Sequence, residues 1–125
     1  LPKWSNSDPG KLNLYTPGQC TWYAFGIRQK MGKPVSTWWH DAHNWSSRAK
    51  EEGYKVGDTA KPGAVFVAQQ GAGGHSTVYG HVGIVISASK DGKTFKISEM
   101  NFKGENIVSE RELKMTDGYS FIYDK

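Results

Sequence analysis

This sequence predicts an α+β fold, with N-terminal helices packed on a mainly antiparallel sheet of five to six strands. Three observations carry that prediction. Apolar residues recur at helical spacing only in the first half, from Trp22 through Met31 and again around Trp45 and Ala49. After Gly53 the spacing changes to alternation over short segments bounded by turn residues. The 15 Gly and 5 Pro supply more turns than a helical bundle uses. Helices in one run and strands in the next point to α+β rather than to interleaved βαβ units.

Residues 1–14 hold Pro2, Pro9 and Gly10 and read as an irregular lead-in. Pro17 and Gly18 make a turn, and residues 19–31 read as a helix that Gly32 and Pro34 end. A second helix is expected within residues 37–52, starting near Asp41 and stopping at Gly53. Strands are expected at residues 63–68, 80–89, 95–101, 106–113 and 119–123, with turns at residues 90–93 and 103–105. Residues 69–80 read as a long Gly-rich loop, either a lid or disordered. Neither a repeat nor a linker divides the chain, so residues 1–125 are expected to form one domain.

The net charge of +4 is mild, and Lys90, Lys93, Lys96 and Lys103 are spread among apolar and Gly positions. That pattern suits solvated strand edges and argues against a nucleic-acid stripe, while a diffuse positive field favours an anionic polymer. No apolar run approaches the roughly 18 residues of a membrane span. One cysteine excludes an internal disulfide. The chain begins at Leu1 with no signal-peptide pattern and reads as a mature protein or an excised domain.

That cysteine, Cys20, stands where the first helix begins. Free backbone N–H groups and the positive end of the helix dipole favour the thiolate, which is the attacking form. Its own N–H and the Gln19 side chain are placed to hold an oxyanion. The bland alternative is a small hydrophobe under the sheet. Among the four histidines, His40 and His43 sit in a Trp-rich stretch and His75 in the Gly-rich loop. His81 opens a strand, which fixes its ring at the sheet's rim, and Gly83 leaves space on the same face. In the next strand Glu99 and Asn101 share one face. Either is suited to accept the Nδ1 hydrogen of an imidazole and leave Nε2 as base; otherwise Glu99 faces solvent and Asn101 begins a turn.

A zinc site finds no third ligand to join His40 and His43, and the acidic pattern of a calcium loop is missing. No metal and no cofactor are expected. Trp38, Trp39 and Trp45 are candidates for substrate-binding cleft walls, with core packing as the alternative.

Three separated segments together resemble the CHAP family, the cysteine, histidine-dependent amidohydrolases/peptidases. They are residues 18–24 (Gly-Gln-Cys-Thr-Trp-Tyr-Ala), 80–85 (Gly-His-Val-Gly-Ile-Val) and 98–101 (Ser-Glu-Met-Asn), and residues 34–39 with Asn44 and Trp45 fit the connecting region. The resemblance runs from about Tyr15 to Tyr123. It implies a papain-like fold and a cysteine peptidase or amidase acting on peptidoglycan. Cys20 takes the place of the nucleophile, His81 of the base, Glu99 of the orienting acid, Asn101 of a fourth polar group and Gln19 of the oxyanion donor. Cutting within the wall peptide is the favoured expectation, and cutting at the N-acetylmuramoyl-L-alanine link is the alternative. Calcium-binding relatives carry clustered Asp residues upstream of the cysteine, whereas this chain has only Asp8 there. The resemblance further implies an extracellular, wall-associated or phage-encoded bacteriolytic protein, monomeric as an isolated domain and often cut from a longer one. Two rivals remain: a module that binds wall without cutting it, and an acyl transfer other than hydrolysis.

Overall fold

A computed structural model describes residues 1–125. Helix α1 runs Cys20–Lys30, a 3₁₀ turn runs Ala42–Asn44, and helix α2 runs Trp45–Glu51. The strands are β1 Val56–Gly57, β2 Val65–Ala68, β3 His81–Ala88, β4 Thr94–Met100, β5 Val108–Lys114 and β6 Tyr119–Ile122. They form one sheet in the order β1-β6-β2-β3-β4-β5, with every neighbouring pair antiparallel. The predicted class and the five longer strands are therefore present. The sixth, β1, has only two residues, too few to show a period. Strand β6 does not meander on from β5 but inserts between β1 and β2. The second helix is shorter than residues 37–52, because that span opens with irregular backbone and a 3₁₀ turn.

Helix α1 begins where Gly18, at φ +87°, turns the chain, and ends at Gly32, at φ +75°. Arg28 and Lys30 occupy its last turn, where cations suit the helix dipole. The lead-in crosses α1 at Gly26: a Cβ there would sit 2.6 Å from the Pro9 carbonyl oxygen, and the Trp4 ring packs edge-on to Trp22 at 5.2 Å. Arg28 is buried on the sheet side, and its guanidinium donates to the backbone oxygens of Lys33, Ile122 and Tyr123 at 2.9, 3.2 and 2.8 Å. Those bonds offset the desolvation of a charge that has no carboxylate in contact.

The pleat sorts the sheet's side chains into two cores. Val65, Val67, Val82, Ile84, Met100 and Ile122 meet the helices with Trp22, Ile27, Trp39 and Trp45. Phe66, Ala68, Val85, Phe95, Ile97 and Phe121 fill a smaller core on the other face. Trp39 and Trp45 are wholly buried in the first core, their rings 5.5 Å apart and edge-on. The expectation that both wall a substrate cleft is corrected: large rings bury too much apolar area to be spared by a chain this short. Trp38 alone of the three is open, at 66% exposure.

Candidate active site

An open cleft of about 830 Å³ runs over the start of α1 and the start of β3. Gln19, Cys20, Trp38, His75, His81, Asn101 and Arg111 are among its lining residues. Cys20, half-buried, stands at the first position of α1, where the turn at Pro17 and Gly18 delivers it. His81 opens β3 directly after Gly80, whose φ of +70° admits no side chain cheaply; a Cβ there would also strike the Ala68 carbonyl oxygen.

The His81 Nε2–H donates to Glu99 Oε1 at 2.7 Å, and Glu99 is wholly buried. This reverses the expected tautomer. With Nε2 committed to the carboxylate, Nδ1 is the nitrogen left for sulfur. Cys20 and His81 line the same cleft, and the interaction with the Cys20 side chain raises the imidazole's pKa; such catalytic pairs commonly tighten once substrate is seated. The space over Gly83 is taken by β4: a Cβ there would stand 3.0 Å from the Ser98 carbonyl oxygen, 3.3 Å from Ile97 Cδ1 and 3.5 Å from Glu99 Cβ.

Asn101 is corrected as a partner of the imidazole. At φ +74° it turns out of β4, and its Nδ2 donates to Gln19 Oε1 at 2.6 Å. Gln19 Nε2 in turn donates to Glu105 at 3.2 Å, which leaves one amide hydrogen for the cleft. His40 lines the cleft, whereas His43 is not among the lining residues and its backbone N–H donates to the Tyr79 carbonyl at 2.9 Å. No three His, Cys, Asp or Glu side chains are grouped to hold a metal ion.

Two groups escaped the sequence reading. Arg111 on β5 forks onto Glu99, Nε to Oε2 at 2.6 Å and Nη2 to Oε1 at 2.8 Å, and its guanidinium lies 3.5 Å over the Phe102 ring. His75 comes from the Gly-rich loop, which is neither a free lid nor disordered. Its ring stacks on His81 at 5.0 Å and 9°, and its Nε2 is 3.1 Å from the Tyr119 hydroxyl. The loop folds back on itself, with Gly71 N–H bonded to the Ser76 carbonyl and Gly80 N–H to the same oxygen. It also wraps Tyr119 so tightly that a Cβ on Gly73 would strike the hydroxyl. The Gly run was a signal of close packing as much as of freedom.

Burial alone would lower His81, but interactions with Cys20 and then Glu99 outweigh it and raise the ring to about 9. Burial likewise pushes Glu99 up, and the bonds from His81 and Arg111 more than reverse that. His75 is lowered to about 4, first by burial and then by the charges of His81 and Arg111. The stack is thus an imidazolium on a neutral ring at neutral pH.

A stability maximum near pH 6.5 follows from the two stacked rings. The stability due to His81 is complete below 6.5, the unfolded value, and is lost as pH rises through about 9. The folded protein resists protonating His75, so stability falls as pH drops from 6.5 toward about 4. Urea midpoints measured from pH 4 to 9 should peak near the middle, and His75→Gln should flatten the acid side. A wild-type midpoint that does not vary over that span contradicts the arrangement.

Comparison with known proteins gives the chain relatives by sequence and by fold. The family model described as "CHAP domain" matches residues 10–101. A Staphylococcus aureus protein named "Probable autolysin LDP" is 39% identical over 120 residues, covering 96% of this chain and 40% of its own length. "Staphylococcal secretory antigen ssaA2" from the same species is 39% identical over 114 residues, covering 89% of this chain and 39% of its own. A crystal structure titled as an N-acetylmuramoyl-L-alanine amidase from Staphylococcus aureus superposes with a TM-score of 0.81 at 35% identity. That superposition covers 93% of this chain and 34% of the amidase. The chain spans about 40% of the length of the curated relatives it matches.

Proposed function

The chain belongs to the CHAP domain family, and from that premise we propose that it hydrolyses amide bonds of bacterial peptidoglycan by a thiol mechanism. The observation that carries the reading is the imidazole of His81, bonded to a buried Glu99 on one side and engaged by the only cysteine on the other. In this mechanism the Cys20 thiolate attacks the carbonyl carbon, and the carbonyl oxygen becomes an oxyanion. The Cys20 N–H and the free amide hydrogen of Gln19 are its donors, with Asn101 keeping Gln19 in place. Protonated His81 gives its proton to the leaving amine as the C–N bond breaks. The neutral ring then takes a proton from water, which releases the acyl group and restores the thiolate. Glu99, held by Arg111, keeps the ring oriented and favours its charged form.

The names of the relatives support a wall substrate and an extracellular or wall-associated site of action. They also bear on which bond is cut. Cleavage within the peptide is the reading from sequence, and the amidase title of the superposed structure favours the link between glycan and peptide as a second reading. Mass spectrometry of purified walls digested with the protein tests both. Endopeptidase action yields new amino and carboxyl ends inside the peptide, and amidase action yields intact peptides and unsubstituted glycan. Recovery of neither product from walls that a known hydrolase does cut would overturn the proposal.

A further inference from the structure

We propose that Trp38, with His40 and Asp41 at its edge, forms a subsite that stacks one pyranose ring of the glycan strand beside the reacting peptide. The inference rests on the peptidoglycan reading and deepens it by assigning a place to the sugar. Of five tryptophans, Trp22, Trp39 and Trp45 are buried and Trp4 is half-buried, while Trp38 presents its indole to solvent at 66% exposure on the cleft wall. A short chain that hides its other indoles leaves this one open at the site where a ligand must lie.

The segment carrying it is rigid. The Trp38 N–H donates to Ser36 Oγ at 2.9 Å and the Trp39 N–H to the Tyr15 hydroxyl at 3.1 Å. That hydroxyl donates to the Ser36 carbonyl at 2.7 Å, and the buried Trp39 indole donates to Glu52 at 2.7 Å. His40 holds φ +64°, a left-handed conformation costly for a residue with a side chain, and its carbonyl accepts from the Trp45 indole at 3.2 Å. Buried Trp39 therefore pins the chain from below, so that Trp38, His40 and Asp41 are all delivered to the cleft. Asp41 begins the 3₁₀ turn without spending its carboxylate on capping, so its oxygens are free to accept.

An exposed indole plane in a cleft that a carboxylate and an imidazole also line complements a pyranose. The sugar's axial C–H face covers the ring, and its equatorial hydroxyls reach the polar edge. Because the platform is held before binding, little ordering entropy is lost when the sugar arrives.

The test is titration of the protein with a soluble N-acetylglucosamine tetramer, read from the indole N–H resonances of the wild type and from the heat of binding for wild type and variants alike, together with wall digestion by the same samples. The expected result is a shift of the Trp38 resonance alone. Binding should weaken about tenfold in Trp38→Ala, with partial recovery in Trp38→Phe, and Asp41→Asn should also weaken it. An unmoved Trp38 resonance at millimolar sugar, or equal binding by wild type and Trp38→Ala, overturns the subsite. Failure of the hydrolase reading looks different: wild type leaves walls uncut while the sugar still moves Trp38. A peptide occupant also looks different, since a sugar-free wall peptide would then shift the indole and the tetramer would not.

Discussion

Cys20→Ala is expected to lower the rate of wall hydrolysis by on the order of 10⁵-fold while leaving the fold intact. The prediction is sharp because the chain has no other cysteine. No second thiol can substitute, and one equivalent of an alkylating reagent should inactivate the wild type and leave the variant unmodified. Alanine is a strong helix former and Cys20 is only half-buried at the start of α1, so stability should move by less than about 1 kcal/mol. The measurements are release of new amine ends from purified walls and a urea unfolding curve for each protein. Equal digestion by both would show that sulfur is not the nucleophile.

Arg111→Met should have the next largest effect, and it should act on both stability and pH dependence. Glu99 has no exposure, and its two oxygens take three charge-assisted bonds, two of them from Arg111. Removing one partner of such a buried group leaves charge uncompensated, and a loss of about 3 kcal/mol is expected. Taking a cation away from the site favours protonation of both neighbours. The acid limb of the rate profile, to which Glu99 contributes, and the alkaline limb, where His81 loses its proton, should therefore both move to higher pH. Arg111→Lys keeps the charge but loses the fork, and it should restore the limbs more fully than the stability. Profiles of kcat/KM against pH, with unfolding curves, check all three proteins. If the methionine variant keeps both limbs and full stability, the guanidinium has no part in holding Glu99.

The site is legible in the sequence where residue type and local structure point the same way. Cys20 follows a Pro-Gly turn into a helix, His81 follows a Gly into a strand, and Glu99 is an acid on the strand face that Phe95 and Ile97 make apolar; each is odd enough locally to be seen. Arg111 was hidden because β5 alternates exposed and half-exposed positions and carries charge on both faces. Nothing along residues 108–114 says which cation turns inward; that depends on Glu99 in the neighbouring strand. His75 is hidden because a run of Gly suggests freedom, whereas here it lets backbone close on Tyr119. Depth was also unreadable for three tryptophans within eight residues, since only the packing of Trp39 against Trp45 and Tyr54 decides which ring is left outside. The reversed tautomer of His81 depends on which side of the strand the helix approaches, and no local pattern reports that.

The position of β6 sets an order of events during synthesis. Strand β1 has no partner in the sheet except β6, and β6 also supplies Tyr119, against which His75 rests. Strands β2 to β5 pair in sequence and can zip as they emerge from the ribosome or a translocation channel. The cleft wall, by contrast, waits for residues 119–122 to pair with β2 and to bring β1 onto the edge of the sheet. A newly made chain is thus denied a finished cleft until nearly all of this segment has been delivered, a built-in delay before Cys20 and His81 face their completed wall.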